Sequence, residues 1–176
     1  MAKAIRFTAV LLILAFCVPR AVAQQETADD ADRLDQQALE FFRQGKVTEA
    51  IPLAERALEI RKRVLVENHR DYAIRLNHLA FLYMSMGRYE QAEPLYRQAL
   101  EIIRKLPGED ATYATVVHNL AELYRSTGRY EQAEPLNRQA LEIREKVLGK
   151  DHPDYATSLN NLGSLCASRS SGSACS

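Results

Sequence analysis

The sequence predicts an all-α fold, a solenoid of antiparallel helix pairs made of three full repeats and one half repeat. Three observations predict it. The phrase "GRYEQAEPLYRQALEI" at 87–102 returns at 128–143 with a single change, Tyr96 to Asn137. Segments opening on Tyr72, Tyr113 and Tyr155 follow one another at steps of 41 and 42 residues. Within such a segment, Leu76, Leu79, Ala80 and Tyr83 fall at the i, i+3, i+4, i+7 spacing of one helix face. A more divergent copy, "LDQQALEFFRQGKVTEAIPLAERALEI", lies upstream and places Gly45 42 residues before Gly87.

Taken in order, residues 1–23 read as a signal peptide outside the fold. Lys3 and Arg6 precede the apolar run "TAVLLILAFCV", and "AVA" ends it as a small-residue cleavage site after Ala23. The run is short of the roughly 20 residues that span a bilayer, so no stable membrane span is expected after cleavage. Phe16 is bulky where the residue before a lipidated cysteine would be small, which counts against lipidation of Cys17. Export to a periplasm or the medium is the expectation. Residues 24–30 read as a flexible mature N-terminus and 31–167 as the repeat domain, with units at about 31–68, 69–110, 111–151 and 152–167, the last partial. The Ser-rich stretch 168–176 reads as a disordered tail.

Each unit reads as two helices around a glycine. Gly87 stops the first helix, because glycine takes left-handed backbone angles without a Cβ penalty. The second helix carries Ala92, Leu95, Tyr96, Ala99 and Ile103 on one side, with Pro94 near its start, where few hydrogen bonds are lost. Small residues such as Ala80, Ala121, Ala92, Ala99, Ala133 and Ala140 let helices approach. Tyr83, Tyr96 and Tyr124 fill the gaps beside them. The repeated phrase therefore needs only a common packing task, not a common ligand.

Composition narrows the function. Lys and Arg number 23, as do Asp and Glu, so the electrostatic argument for nucleic acid is missing. Loss of Lys3, Arg6 and Arg20 with the leader brings the basic residues to 20 and the net charge to −3. Cys166 and Cys175 would remain; export allows a disulfide between them, and an incidental pair is the other reading. The four histidines, His69, His78, His118 and His152, form no H-x-x-x-H pair for zinc. His69 and His152 fall in loops and read as turn or capping residues. No glycine-rich phosphate loop and no nucleophile elbow is present, so neither catalytic, cofactor nor metal residues are assigned and an enzyme is not expected.

The order Leu79-Ala80, Tyr83, Gly87, Tyr89, Ala92, Tyr96, Ala99, with "LNNLG" and "REKVLGKDHPDYA", resembles tetratricopeptide repeats of the kinesin-light-chain type and their bacterial relatives. The resemblance covers nearly all of 31–167 and implies a right-handed superhelix whose first helices line a concave, partner-binding side. It departs from the family at Arg104, where a shorter unit often has proline, and in the missing second helix of the last unit.

With Ala80 as register, the resemblance places these residues on the inner wall: Asp32, Asp35, Leu39, Phe42 and Arg43; Ile74, Asn77, Phe81, Met84 and Ser85; Thr115, His118, Glu122, Arg125 and Ser126; Thr157, Asn160, Ser164 and Ala167. Leu39, Phe42, Ile74, Phe81 and Met84 make its first part apolar, whereas His118, Glu122 and Arg125 make the next part polar. The expected guest is a peptide or helix of a protein partner, with an apolar and a polar end. Asn77 and Asn160 resemble asparagines that hold a bound peptide's backbone in kinesin light chains. The other reading is that Phe81 and Met84 simply pack between units.

Three arrangements are open for the whole protein. It is an exported adaptor closed by its last half-unit, with Leu159, Leu162 and Leu165 facing in and Asn160, Asn161, Ser164 and Ser168 facing out. Or it is the repeat region of a larger protein with a separate effector domain, such as the caspase-like peptidases found beside such repeats in related proteins. Or it self-associates through apolar surface at the C-terminal end.

Overall fold

The computed structural model describes residues 26–64, 69–108 and 110–170. The expected leader, Cys175 and the side chain of Cys166 lie outside the described residues. Seven helices follow one another: α1 (Ala28–Arg43), α2 (Val47–Val64), α3 (Arg70–Ser85), α4 (Tyr89–Arg104), α5 (Ala111–Ser126), α6 (Tyr130–Leu148) and α7 (Pro153–Ser170). No strand occurs among the described residues. The helices form the hairpins α1–α2, α3–α4 and α5–α6, and each hairpin packs on the next, with α7 on α6. This is the all-α solenoid that the repeat pattern predicts.

The two ends differ from expectation by a few residues. Thr27 caps α1: its hydroxyl accepts from the Asp30 amide while the Asp30 carboxylate accepts from the Thr27 amide at 2.9 Å. Helix therefore starts at Ala28, ahead of the expected boundary at 31. At the other end α7 runs through Ser170, three residues past the expected boundary.

The hairpin turns share one geometry. After α3, Gly87 sits at φ 70°, the Arg88 amide donates to the Tyr83 carbonyl and the Gly87 amide to the Met84 carbonyl, both at 2.9 Å. That double bond is a Schellman stop, and it requires a left-handed residue at the glycine position. Gly45 and Gly128 close α1 and α5 in the same way. The second helices carry Pro52, Pro94 and Pro135 at their sixth position, so each loses one backbone bond just past the unbonded first turn. His69 and His152 serve as caps: their Nδ1 atoms accept from the amides of Asp71 and Asp154 at 3.2 and 3.1 Å.

Alanines make close approach possible. Ala50, Ala57, Ala80, Ala92, Ala99, Ala114, Ala121, Ala133 and Ala140 have no exposed surface at all. Tyr96, Leu76, Ile103 and Leu123 fill the space between them. Burial of each such large apolar side chain contributes about 2 kcal/mol. Tyrosines at the ends of first helices also tie each unit to the one before: the Tyr83 hydroxyl donates to the Glu55 carboxylate, and the Tyr124 hydroxyl accepts from Arg97 at 2.9 Å. Glu93 joins this seam, accepting from Arg129 at 2.7 Å, while the Arg129 guanidinium lies 4.4 Å from the Tyr124 ring centre.

The ends of the solenoid are unlike. At the register positions where α5 buries Val116, Leu120 and Leu123, α1 has Arg33, Gln37 and Glu40, so that face of α1 is polar and exposed. At the positions where α5 buries Ala114, Val117 and Ala121 against α6, α7 shows Ala156, Leu159 and Gly163 to solvent. Leu159 is 51% exposed and Leu165 1% exposed. The expected lid, with Leu159, Leu162 and Leu165 all turned inward, is thus corrected at Leu159, while Leu162 is half-buried and Leu165 buried. Among the described residues no helix follows α7, and its buried side chains, Ser158 and Leu165, lie on the side that meets α6.

Candidate peptide-binding groove

The first helices α1, α3 and α5 set their inner-wall side chains next to one another. Between α1 and α3 lies a cavity of about 450 Å³, lined by Asp32, Asp35, Gln36, Ala38, Leu39, Phe42, Ala54, Arg75, His78, Phe81 and Leu82. Leu39 and Phe81 remain 48% and 37% exposed within it, which is unusual for side chains of their size. The Phe42 and Phe81 rings meet edge to face with centres 5.4 Å apart. One wall is charged. Arg61 of α2 is almost wholly buried, and its Nη2 donates to Asp32 and to Asp35 at 2.6 Å each. The Arg75 guanidinium approaches Asp35 to 3.2 Å. The hydrogen bond from Arg61 holds the Asp32 carboxyl below its ordinary range.

A second cavity, about 250 Å³, lies between α3 and α5 and is lined by Ile74, Asn77, His78, Ala111, Thr112, Thr115 and Val116. His78 borders both cavities. Asn77 is only 5% exposed, and its side-chain oxygen accepts from the Asn119 amide group at 2.9 Å. It therefore ties α3 to α5 as well as bordering the cavity.

Farther along, the wall turns polar. Arg125 and Glu122 form an ion pair at 2.7 Å on the face of α5. His118 is half-buried, with its Nδ1 enclosed and unpartnered. Burial, and then the charge of Arg144, pushes its pKa down. Arg144 of α6 is 6% exposed and donates to the Ser158 hydroxyl at 2.5 Å and to the Asp154 carbonyl at 3.2 Å. Burial lowers its pKa, with Asp154 opposing.

The structure thus gathers Leu39, Phe42 and Phe81 in one cavity and Ile74 and Asn77 in the next. Glu122 is paired with Arg125, and Asn160 stands exposed on α7. Met84 lines neither cavity; it packs against the core formed with Tyr83 and Tyr96. Sequence reasoning missed Arg61 and Arg144. Their signal was available: sixteen residues after each turn glycine stand Arg61, Ile103 and Arg144, so a cation replaces an apolar core residue twice. Among the described residues no group of three or more His, Cys, Asp or Glu is arranged to hold a metal ion.

The stacked helix hairpins with a lined inner wall define a helical repeat protein. The tetratricopeptide repeat model matches residues 38–105, 72–146 and 112–171, and the chain belongs to that family. Its repeats are similar in fold to those of kinesin-light-chain-like proteins. The chain is similar to BtubC (BKLC) from P. vanneervenii, with 28% identity and a TM-score of 0.76 over 84% of this chain and 59% of that one. It therefore spans somewhat over half the length of that relative. A putative kinesin light chain from Podosopora anserina with nearly identical TPR-like repeats superposes with a TM-score of 0.71 at 22% identity, over 84% of this chain and 79% of that one. The first TPR of Spaghetti (RPAP3), bound to the HSP90 peptide SRMEEVD, superposes with a TM-score of 0.63 at 15% identity, over 84% and 98%. No curated protein sequence matches this chain.

Proposed function

We propose that this protein is a non-catalytic interaction scaffold that takes a peptide or helix of a protein partner along its inner wall. An apolar anchor of the guest enters the α1–α3 cavity, and its polar end lies over His118, Glu122 and Arg125. The observation that carries this reading is the pair Leu39 and Phe81, large apolar side chains left partly open in a walled cavity although the Phe81 ring also meets Phe42 of the unit before. A peptide seated on the similarly folded Spaghetti repeat supports it. The test is affinity capture from the native envelope fraction with wild type and with the Phe81→Ala/Arg125→Glu double variant. The double variant should lose the partner; unchanged capture refutes the groove.

The N-terminal sequence supports export to a periplasm or the medium, with the mature chain starting at Gln24. N-terminal sequencing of the protein from its native source checks this, and a chain retaining Met1 contradicts it. The uncovered face of α7 favours a second arrangement, in which that face is covered by a further helix, from a second copy or from a separate effector domain of a longer form. A concentration series in light scattering tests the copy: mass should double, and Leu159→Asp should prevent it.

A further inference from the structure

Two histidines sit where α7 is fastened. The first is His118 on α5. Asn77, at the same register on α3, bonds Asn119 of the next first helix; His118 has Asn161 of α7 as its register partner, yet its enclosed Nδ1 makes no hydrogen bond. The charged groups that bear on it come from three helices: Glu122 and Arg125 on α5, Arg144 on α6 and Asp154 on α7. Glu122 is already paired with Arg125. Arg144 is buried and donates to the Asp154 carbonyl and the Ser158 hydroxyl, bonds by which α6 holds the first turns of α7. A proton on His118 adds a second cation to the field of the guanidinium that fastens this helix.

The second is His152, whose Nδ1 accepts from the Asp154 amide at 3.1 Å and so caps α7. A protonated imidazole has two donors and no acceptor, so the cap is lost and a positive charge stands at the positive end of the helix. The exposed Asp154 carboxylate, 3.9 Å away, offsets part of that charge, and the Glu145–Lys150 pair at 3.1 Å lies in the same turn. By contrast, α1 and α5 are capped by Thr27 and Asp110, which keep their acceptors in mild acid. His69 caps α3 as His152 caps α7, but α3 has packed helices on both sides, whereas α7 rests on α6. The α6 face also gains from exposure: Asn137 is 1% exposed with neither polar atom partnered, and water would satisfy both.

We propose that α7 is an acid-released helix. On protonation of His118 and His152 it lifts from α6 as a unit and opens Asn137 and Arg144 to water, while the preceding hairpins stay folded. Burial, and then Arg144, holds the His118 pKa below the ordinary 6.5 while α7 is docked. Docking is therefore favoured above about pH 6.5 and loses that advantage as pH falls through the docked value. The end of the solenoid becomes a conditional surface, covered near neutrality and open in acid.

The test is amide exchange of the ¹⁵N-labelled protein followed by NMR at about pH 7.5 and about pH 5, with each rate divided by the unfolded-chain rate at that pH. Protection of α7 should drop about tenfold more than that of α3 and α4. His118→Asn, which copies Asn77, and His152→Asp, which copies Asp110, should each remove part of the drop. The double variant should reduce it to about twofold or less, with α3 and α4 protected as in the wild type. His69→Asp should leave the α7 drop unchanged. In the wild type the His118 ring signals and the α7 protection should change with one midpoint. Equal α7 protection at both pH values, a fall shared by every helix, separate midpoints, or a drop that persists in the double variant overturns the proposal.

Discussion

The helices α4 and α6 begin with the same phrase and end in different surroundings. At their one early difference, Tyr96 is wholly buried in a cluster with Leu120, Leu123 and Tyr124, whereas Asn137 is equally buried with neither side-chain atom partnered. Later in the helix, Ile103 belongs to a continuous apolar core and Arg144 reaches Ser158. The cause is the helix that comes next. The apolar α5 covers α4, while α7 covers α6 with Ser158 and Leu165. A near-identical sequence therefore forms a firm interface in mid-solenoid and a thinner one near the end.

Variants can break or sharpen that contrast. The largest effect is expected at the two buried cations. Asp35→Ala strips a carboxylate from buried Arg61 and should cost about 3 kcal/mol in urea unfolding. Arg144→Ile, which copies Ile103, should be neutral or stabilising, because no carboxylate is orphaned by it. Equal losses from the two would mean that Arg144 is compensated as fully as Arg61, and the contrast would fail.

Asn137→Leu comes next. Removing two unpartnered buried polar atoms at similar volume should raise stability by about 1–2 kcal/mol, read as a higher urea midpoint at constant slope. A loss instead would show that the amide is satisfied. A smaller, pH-dependent effect is expected at His118. Its pKa is held below the ordinary 6.5 when folded, so its contribution is present above about pH 6.5 and is lost as pH falls through the folded value. His118→Asn, which copies Asn77, should leave stability at pH 7.5 nearly unchanged and flatten the decline toward pH 5. An unaltered decline would assign it to other groups. Tyr96→Phe should matter least, within about 0.5 kcal/mol, since the lost hydroxyl has no partner.

Much of the fold was legible because it follows from periodicity. A glycine every 41 or 42 residues, and alanines at fixed distances from it, set the turns and the close approaches before any coordinates. The cavity residues Leu39, Phe42 and Phe81 were legible because the resemblance to tetratricopeptide repeats marks the inner wall and the register of Ala80 counts positions along it. Leu159 was misread because its register counterparts Leu76 and Val117 are buried against a following second helix, and among the described residues none follows α7. The Arg61 pairing with Asp32 and Asp35 was missed because helix patterns were read one at a time, and the pair joins residues 26 and 29 positions apart across a hairpin. Asn77 was read as a ligand-facing amide; its bond to Asn119 belongs to the next unit and is invisible within its own helix.

Native-state hydrogen exchange measures the contrast most directly, since it reports opening energies helix by helix. Amides of α3, α4 and α5 should exchange at or near the rate of global unfolding. Those of α7 and the last two turns of α6 should exchange faster through local opening, and Asn137→Leu should slow them. Uniform protection along all seven helices, or weakest protection in α3 and α4, would contradict the account.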